Sequence, residues 1–130
     1  MNKINVSVSQ CDRRGDIIDL LENEAINAVT IVTFTRGAVR GNHVHKQTTQ
    51  WNYVMEGRVR IVSETAEGCR HEMTMQPGDL VVTDPNVAHA LEGIEASKVM
   101  VFTKGPRGGK EYESDTFRLE TPLIAEMRRQ

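Results

Sequence analysis

The sequence is short of cysteine, of aromatic residues and of long apolar runs, and each shortage excludes a class of protein. Its 130 residues contain two cysteines, Cys11 and Cys69, and no C-x-x-C pair, which excludes a disulfide framework and a zinc ribbon. No apolar stretch approaches the length of a membrane span, and the first ten residues lack the apolar segment of a signal peptide. We therefore expect a cytoplasmic protein with reduced thiols and no membrane contact.

An excess of positive charge is also missing. The formal net charge is −2 at pH 7, and Lys and Arg form no cluster of the kind that binds a phosphate backbone. We expect no nucleic-acid partner. The length suits one domain with one core, since 38% of the residues are hydrophobic and 26% are charged.

The apolar residues that are present alternate with polar ones in many short segments, which is typical of half-buried strands. Residues 28–34 follow this alternation and are apolar enough for both faces of the strand to be covered. Residues 51–55 and 58–62 flank a tight turn at Glu56-Gly57. A second strong turn signal is Gln76-Pro77-Gly78-Asp79. Many short strands with little helix predict an all-β sandwich or barrel.

Signals for helix are few and lie towards the C-terminus. Thr121-Pro122 resembles an N-cap followed by proline at the first helical position, and it predicts a short helix over residues 123–129. The segment Gly105-Pro106-Arg107-Gly108-Gly109 reads as a flexible loop between the strands and a C-terminal tail.

Two histidines on one strand form the centre of the functional prediction. His43 and His45 are separated by one residue, so both side chains project to the same face of a strand. Gln50 follows after a short connection. His89 comes after the turn at residues 84–88, which can return it to the same cavity. The pattern predicts a polar pocket lined by His43, His45, Gln50 and His89.

These residues and their spacing resemble the two motifs of the cupin superfamily. The first motif matches with Gln50 in place of its usual glutamate, and the second keeps its spacing with three of five positions substituted. The matching residues are Gly37, His43, His45, Gln50 and Gly57, then Gly78, Asp84, Asn86, His89 and Gly93. The resemblance implies a closed jelly-roll barrel (a double-stranded β-helix) with a short C-terminal extension. It implies one domain over residues 1–130, with a core at about 26–104, N-terminal strands at 1–25 and a tail at 105–130.

A narrower resemblance concerns the substrate. Asp12-Arg13-Arg14-Gly15 and residues 40–46 are similar to segments of nucleotide-sugar cupins, the dTDP-4-keto-6-deoxyhexose 3,5-epimerases and 3,4-ketoisomerases. Residues 113–118 match more faintly the acidic segment that ends those enzymes. By this resemblance His43 and His45 are acid/base residues, and Arg40, Gln50 and His89 bind substrate, with Arg40 at the pyrophosphate. No metal is required for this chemistry.

The sequence departs from that family at one position. The related enzymes commonly carry a pocket tyrosine on the strand before the arginine, where this chain has Thr33-Phe34-Thr35. Its tyrosines are Tyr53 and Tyr112, and the group that replaces the missing hydroxyl stays open.

Two other functions use the same residues. His43, His45, Gln50 and His89 can instead hold one divalent metal (Zn, Ni, Fe, Mn or Cu), as in a dioxygenase or a metal-assisted isomerase. The neutral amide of Gln50 is a weaker ligand than glutamate. A third hypothesis is a cupin that binds a small molecule without turnover. The resemblance also implies a homodimer that pairs through its N-terminal strands.

Overall fold

A computed structural model describes residues 1–6, 8–106 and 109–126 and contains twelve strands and one short helix among them. The strands, in chain order, are β1 Asn2–Ile4, β2 Val8–Asp12, β3 Gly15–Ile18, β4 Ala28–Phe34, β5 Val39–Val44, β6 Thr49–Glu56, β7 Val59–Glu64, β8 Arg70–Met75, β9 Leu80–Thr83, β10 Ala88–Gly93, β11 Ser97–Lys104 and β12 Phe117–Arg118. The helix α1 spans Gly109–Ser114.

The strands form two five-stranded sheets that face each other. The first sheet has the order β1-β9-β6-β11-β4, and the second has the order β12-β5-β10-β7-β8. Every strand pair is antiparallel, and consecutive strands mostly lie in opposite sheets, as in a jelly roll. The predicted all-β jelly roll is confirmed. Its closure is not, because strand pairing does not join the two sheets in the described part of the chain.

The core lies between the sheets and consists largely of alternate residues of the strands of the two sheets. Val59 and Ile61 of β7 are fully buried, whereas Arg60 between them points outward and pairs with Glu72 and Glu92. The same alternation buries Val54 and Val81 on the opposite sheet. Polar residues replace the apolar ones towards the end of the sandwich that holds the histidines.

The N-terminal segment contributes one strand to the first sheet and then leaves it. β1 pairs with β9, whereas β2 and β3 form a separate hairpin whose residues are all exposed. Among the described residues, no helix is long and apolar enough to cross a membrane.

The C-terminal segment differs from the prediction in both of its parts. The described residues 121–126 are not helical, and the remainder of the predicted helix, together with Arg107 and Gly108 of the predicted loop, lies outside the described residues. Asn42 of β5 binds this segment instead: its side-chain oxygen accepts hydrogen bonds from the backbone N–H groups of Leu123 and Ile124, at 2.8 and 3.2 Å. Its Nδ2 donates to the carbonyl of Ile124 at 2.9 Å. The helix that does form, α1, lies where the sequence predicted loop and tail.

Candidate active site

The two sheets and the C-terminal tail enclose a pocket of about 470 Å³, a volume suited to a small-molecule ligand. The strands contribute His43, Gln50, Asn52, His89 and Arg40, and the tail contributes Tyr112, Glu113, Thr116 and Arg118. The walls therefore combine imidazole, amide, hydroxyl and charged groups with apolar residues of the sheet.

Three of the four histidines in the chain form a cluster in which His43 and His89 line the pocket, whereas His45 contacts both rings but does not line it. The ring centroids of His43 and His45 are 4.5 Å apart, those of His43 and His89 are 4.7 Å apart, and those of His45 and His89 are 5.5 Å apart. The Nε2 atoms of His43 and His89 lie 3.1 Å from each other, so one donates a hydrogen bond to the other. The structure brings the three predicted histidines together and places His43, Gln50 and His89, but not His45, on the wall of the pocket.

The pairing of β5 with β10 brings His43 next to His89. The two residues are partners in register, and a bulge follows immediately between His89 and Ala90. Gly41 permits the close approach, because its φ is +89° and a Cβ there would lie 2.9 Å from the carbonyl oxygen of His89. A residue with a side chain at this position would push the two strands apart.

His43 and His89 are neutral at pH 7. Burial, followed by the charges of His89, His45 and Arg118, lowers the pKa of His43 to about 3. Burial, followed by the charge of His45, lowers the pKa of His89 to about 4. Each ring can therefore accept a proton, or offer a lone pair to a metal, without first losing one.

His45 is the most deeply buried of the three, with 2% of its surface exposed. Its Nδ1 lies 3.0 Å from the backbone carbonyl oxygen of Asp115, and its Nε2 is buried without a hydrogen-bond partner. A carbonyl oxygen can only accept, so Nδ1 carries a proton, and in the neutral ring Nε2 carries the lone pair.

The side chain of Asp115 binds the loop between β5 and β6. It accepts hydrogen bonds from the Thr48 hydroxyl at 2.6 Å and from the N–H groups of Lys46 and Gln47 at 3.0 and 3.1 Å. Desolvation opposes ionisation, but these hydrogen bonds together hold the pKa of the Asp115 carboxyl below its usual value. The carboxylate is 97% buried and joins the tail to residues about seventy positions earlier in the chain.

The two other residues predicted for the site also line the pocket. Arg40 is exposed, donates from Nε and Nη2 to the carbonyl of Thr33, and has its guanidinium carbon 5.4 Å from the centre of the Phe34 ring. Gln50 lies on β6 opposite Thr103 and Thr83, with its side chain towards the pocket.

The sequence prediction missed the tail as part of the site. Tyr112 lies with its ring centroid 5.3 Å from that of His45, and Arg118 pairs in register with His43. The faint resemblance at residues 113–118 was the signal available for this segment. Nothing in the strand periodicity could place it, because it reaches the pocket through contacts distant in sequence.

The histidine cluster also has a composition that fits a metal. His43, His45 and His89 offer ligand atoms that all lie within 4.8 Å of one another. Neutral imidazoles suit divalent transition metals, and a metal-bound histidine commonly donates its other N–H to a backbone carbonyl, as His45 does to Asp115.

Comparisons with known proteins agree with this fold. The family model for the cupin domain matches residues 30–103, which is more than half of the chain. No curated protein sequence matches.

Solved structures that resemble the chain include sugar-nucleotide isomerases and epimerases. A TDP-quinovose 3,4-ketoisomerase of Campylobacter jejuni has a TM-score of 0.76 and 18% identity, covering 90% of this chain and 91% of that one. A sugar 3,4-ketoisomerase of Thermoanaerobacterium thermosaccharolyticum in complex with TDP has a TM-score of 0.74 and 17% identity, covering 92% of this chain and 88% of that one. A dTDP-4-dehydrorhamnose 3,5-epimerase of Sulfolobus tokodaii has a TM-score of 0.67 and 18% identity, covering 80% of this chain and 68% of that one. At these identities the likeness shows the fold.

Proposed function

Because this chain belongs to the cupin domain family, we propose that it is an isomerase- or epimerase-like enzyme acting on a carbohydrate-type carbonyl compound, such as a nucleotide-linked keto sugar. The observation that supports this most directly is the cluster of three histidines at a pocket of about 470 Å³, with His43 and His89 neutral at pH 7. The kinds of ligand in the similar structures, sugar nucleotides and TDP, favour the substrate class.

The chemistry requires one group to take a proton and another to supply one. A base removes the proton α to the carbonyl, the electron pair moves to the carbonyl oxygen, and an acid protonates that oxygen. Return of a proton to carbon completes an isomerisation or an epimerisation. His43 and His45 take these roles in the proposal, and proton transfer of this kind contributes about 10²–10⁴-fold to rate.

Two arginines of the pocket can bind an anionic substrate. Arg40 and Arg118 line the pocket, and a guanidinium binds phosphate oxygens through paired donors. We assign Arg40 to the diphosphate, with Gln50 and His89 contacting the sugar. An approaching anion also raises the pKa of a neighbouring histidine, so substrate binding would make the histidines better bases.

Turnover of keto-sugar nucleotides by the full chain tests the proposal. Products are followed by NMR in deuterated water, where transfer at the α carbon incorporates deuterium. We expect His43→Ala and His45→Ala each to reduce turnover by about 10²-fold or more. His71→Ala is the matched control, because His71 is exposed on β8.

Full activity of both pocket variants on an identified substrate would show that the site assignment is wrong. Binding of sugar nucleotides without any exchange or turnover would instead favour a ligand-binding cupin that is not an enzyme.

A second candidate function is metal-dependent, and the histidine cluster is the observation that favours it. His43, His45 and His89 would hold one divalent ion with Gln50 as a neutral fourth ligand, and the ion would polarise a carbonyl or activate water or dioxygen. Binding requires the His43 and His89 Nε2 atoms to exchange their mutual hydrogen bond for the metal.

Elemental analysis of untagged protein distinguishes the two candidates. About one equivalent of metal per chain, lost in His43→Ala, would favour the metal-dependent function. Protein that fails to take up added Zn, Ni, Fe, Mn or Cu would favour free histidines as bases.

We also propose that the chain forms a homodimer. Val29 and Ile31 on edge strand β4 are 58% and 49% exposed, and they adjoin Phe102 and Met100 in register. The separate β2–β3 hairpin exposes Val8, Ile17 and Ile18. An isolated two-stranded hairpin is marginally stable in water, so a second copy that covers these residues would stabilise it.

A further inference from the structure

The strongest unused feature of the site is the buried carboxylate of Asp115. It lies outside the cupin motifs, does not line the pocket and has no direct role in the proposed proton transfer. Yet both its backbone and its side chain bind residues 45–48, through the His45 ring, two backbone N–H groups and the Thr48 hydroxyl. Two separate kinds of contact from one residue converge on the segment that carries a proposed catalytic histidine.

The backbone contact determines which nitrogen of His45 carries the proton. The Asp115 carbonyl accepts from Nδ1 at 3.0 Å, which leaves the buried Nε2 as the atom with the free lone pair. If this carbonyl moved away, the two tautomers of His45 would no longer be distinguished by this contact. A fixed position of the Asp115 carbonyl therefore favours one tautomer of His45.

The side-chain contacts control that position. The N–H groups of Lys46 and Gln47 and the Thr48 hydroxyl all donate to the Asp115 carboxylate, at 2.6 to 3.1 Å. Asp115 is 97% buried. Charge-assisted hydrogen bonds of this kind are about twice as strong as neutral ones. They anchor residue 115 to the same loop that carries His45, so the carbonyl and the imidazole are fixed relative to each other.

We propose that Asp115 is a positioning residue, whose carboxylate latches the tail to residues 46–48 and thereby keeps the His45 proton on Nδ1 and its lone pair on Nε2. The same latch holds the tail wall of the pocket, which carries Tyr112, Thr116 and Arg118. The role of this latch in turnover rests on the proposed isomerase function, but its effect on the tautomer of His45 does not.

The test measures the tautomer directly by ¹⁵N NMR of the histidine side chains in the full chain. In the wild type we expect His45 to show a protonated Nδ1 and an unprotonated Nε2. Asp115→Asn keeps the shape but turns an amide NH₂ towards N–H donors, so it should produce a mixture of tautomers. Asp79→Asn is the matched control, because Asp79 also accepts a backbone N–H, from Gln76 in a turn remote from the pocket.

A second pair of variants covers the case in which Asp115→Asn does not fold. Thr48→Val removes the hydroxyl that donates to the carboxylate and preserves volume, whereas Thr48→Ser retains the hydroxyl. We expect the valine variant to shift the His45 tautomer in the same direction as Asp115→Asn, and the serine variant to resemble the wild type. A wild-type tautomer in folded Asp115→Asn, or in Thr48→Val, would overturn the proposal.

Activity gives an independent readout. On a keto-sugar nucleotide that the wild type turns over, Asp115→Asn should lower kcat by about 10- to 100-fold, because the catalytic atom is misplaced. An unchanged kcat together with a shifted tautomer would overturn the positioning role. Absence of turnover by the wild type, with the tautomer shift still present in the variants, would contradict the proposed function and leave the positioning of His45 standing.

Discussion

The pocket histidines show how single residues acquire properties that their side chains lack in water. His89 is almost fully buried and hydrogen-bonded only to neutral partners, the carbonyl of Val87 and the ring of His43. Burial therefore disfavours its charged form, as it does for His43, and this has a consequence for folding stability as well as for chemistry.

Acid should destabilise the protein well above the range where carboxylates titrate. The pKa of His89 is about 4 when folded and about 6.5 when unfolded, so below pH 6.5 the unfolded state binds the extra proton and stability falls. When the pH falls from about 7.5 to about 5, the titration of His89 alone should lower the free energy of unfolding by about 2 kcal/mol. The measurement is urea unfolding at both pH values.

The comparison variant is His89→Asn, which removes the titrating group. We expect its unfolding free energy to fall by about 2 kcal/mol less than that of the wild type over the same pH interval. An equal fall in both proteins would show that His89 is not the source of the acid sensitivity.

At the scale of elements, the turns between strands set how closely the strands approach. Gly57 ends the hairpin turn between β6 and β7 with φ +83°, and a Cβ there would clash with Ser97 and with the carbonyl of Ala96. Gly68 has nearly the same φ, +87°, but nothing lies within 4 Å of the Cβ position.

These two glycines allow backbone conformation to be separated from close packing. Gly57→Ala and Gly68→Ala both incur the cost of a positive φ, but only the former forces strand β11 away from the turn. We expect Gly57→Ala to lower the free energy of unfolding by about 1–3 kcal/mol more than Gly68→Ala. Equal losses, measured by urea unfolding, would mean that the approach of β11 carries no cost.

The tail is held by one polar side chain of β5. Asn42→Ala removes three hydrogen bonds to residues 123–124 and should lower the free energy of unfolding by about 1–3 kcal/mol. Asn23→Ala is the control for backbone strain, because Asn23 has φ 58° against 55° for Asn42. An equal loss in both variants, measured by urea unfolding, would contradict a role for these bonds in holding the tail.

At the scale of the whole molecule, the proposed dimer depends on the exposed apolar residues of the first sheet. Ile31→Lys places a charge in the centre of the proposed dimer contact, and we expect it to weaken dimerisation by at least about 10-fold. Sedimentation equilibrium measures this. Thr74→Lys, on the exposed edge strand β8 of the other sheet, is the control and should leave the association unchanged. A wild-type chain that stays monomeric at high concentration would contradict the proposal.

Much of the fold could be predicted from the sequence, because its signals are local. Alternation of period two marks residues 28–34 and 58–62 as strands, and Glu56-Gly57 marks the turn between 51–55 and 58–62. The i, i+2 spacing of His43 and His45 places both rings on one face of a strand. The prediction failed at residues 123–126, which carry a local capping signal but are not helical and instead bind Asn42, a residue about eighty positions earlier.

The sequence by itself determined an all-β sandwich or barrel and the strand face that His43 and His45 share, since strand periodicity and turn chemistry act over a few residues, and its resemblance to the cupins added the jelly roll. Only the tertiary structure decided the chemical state of those residues. Burial lowers the pKa values of His43 and His89, and the carbonyl of Asp115 selects the tautomer of His45. Both effects depend on which groups surround a side chain in space, and here those groups come from segments about 45 to 70 positions away in the chain.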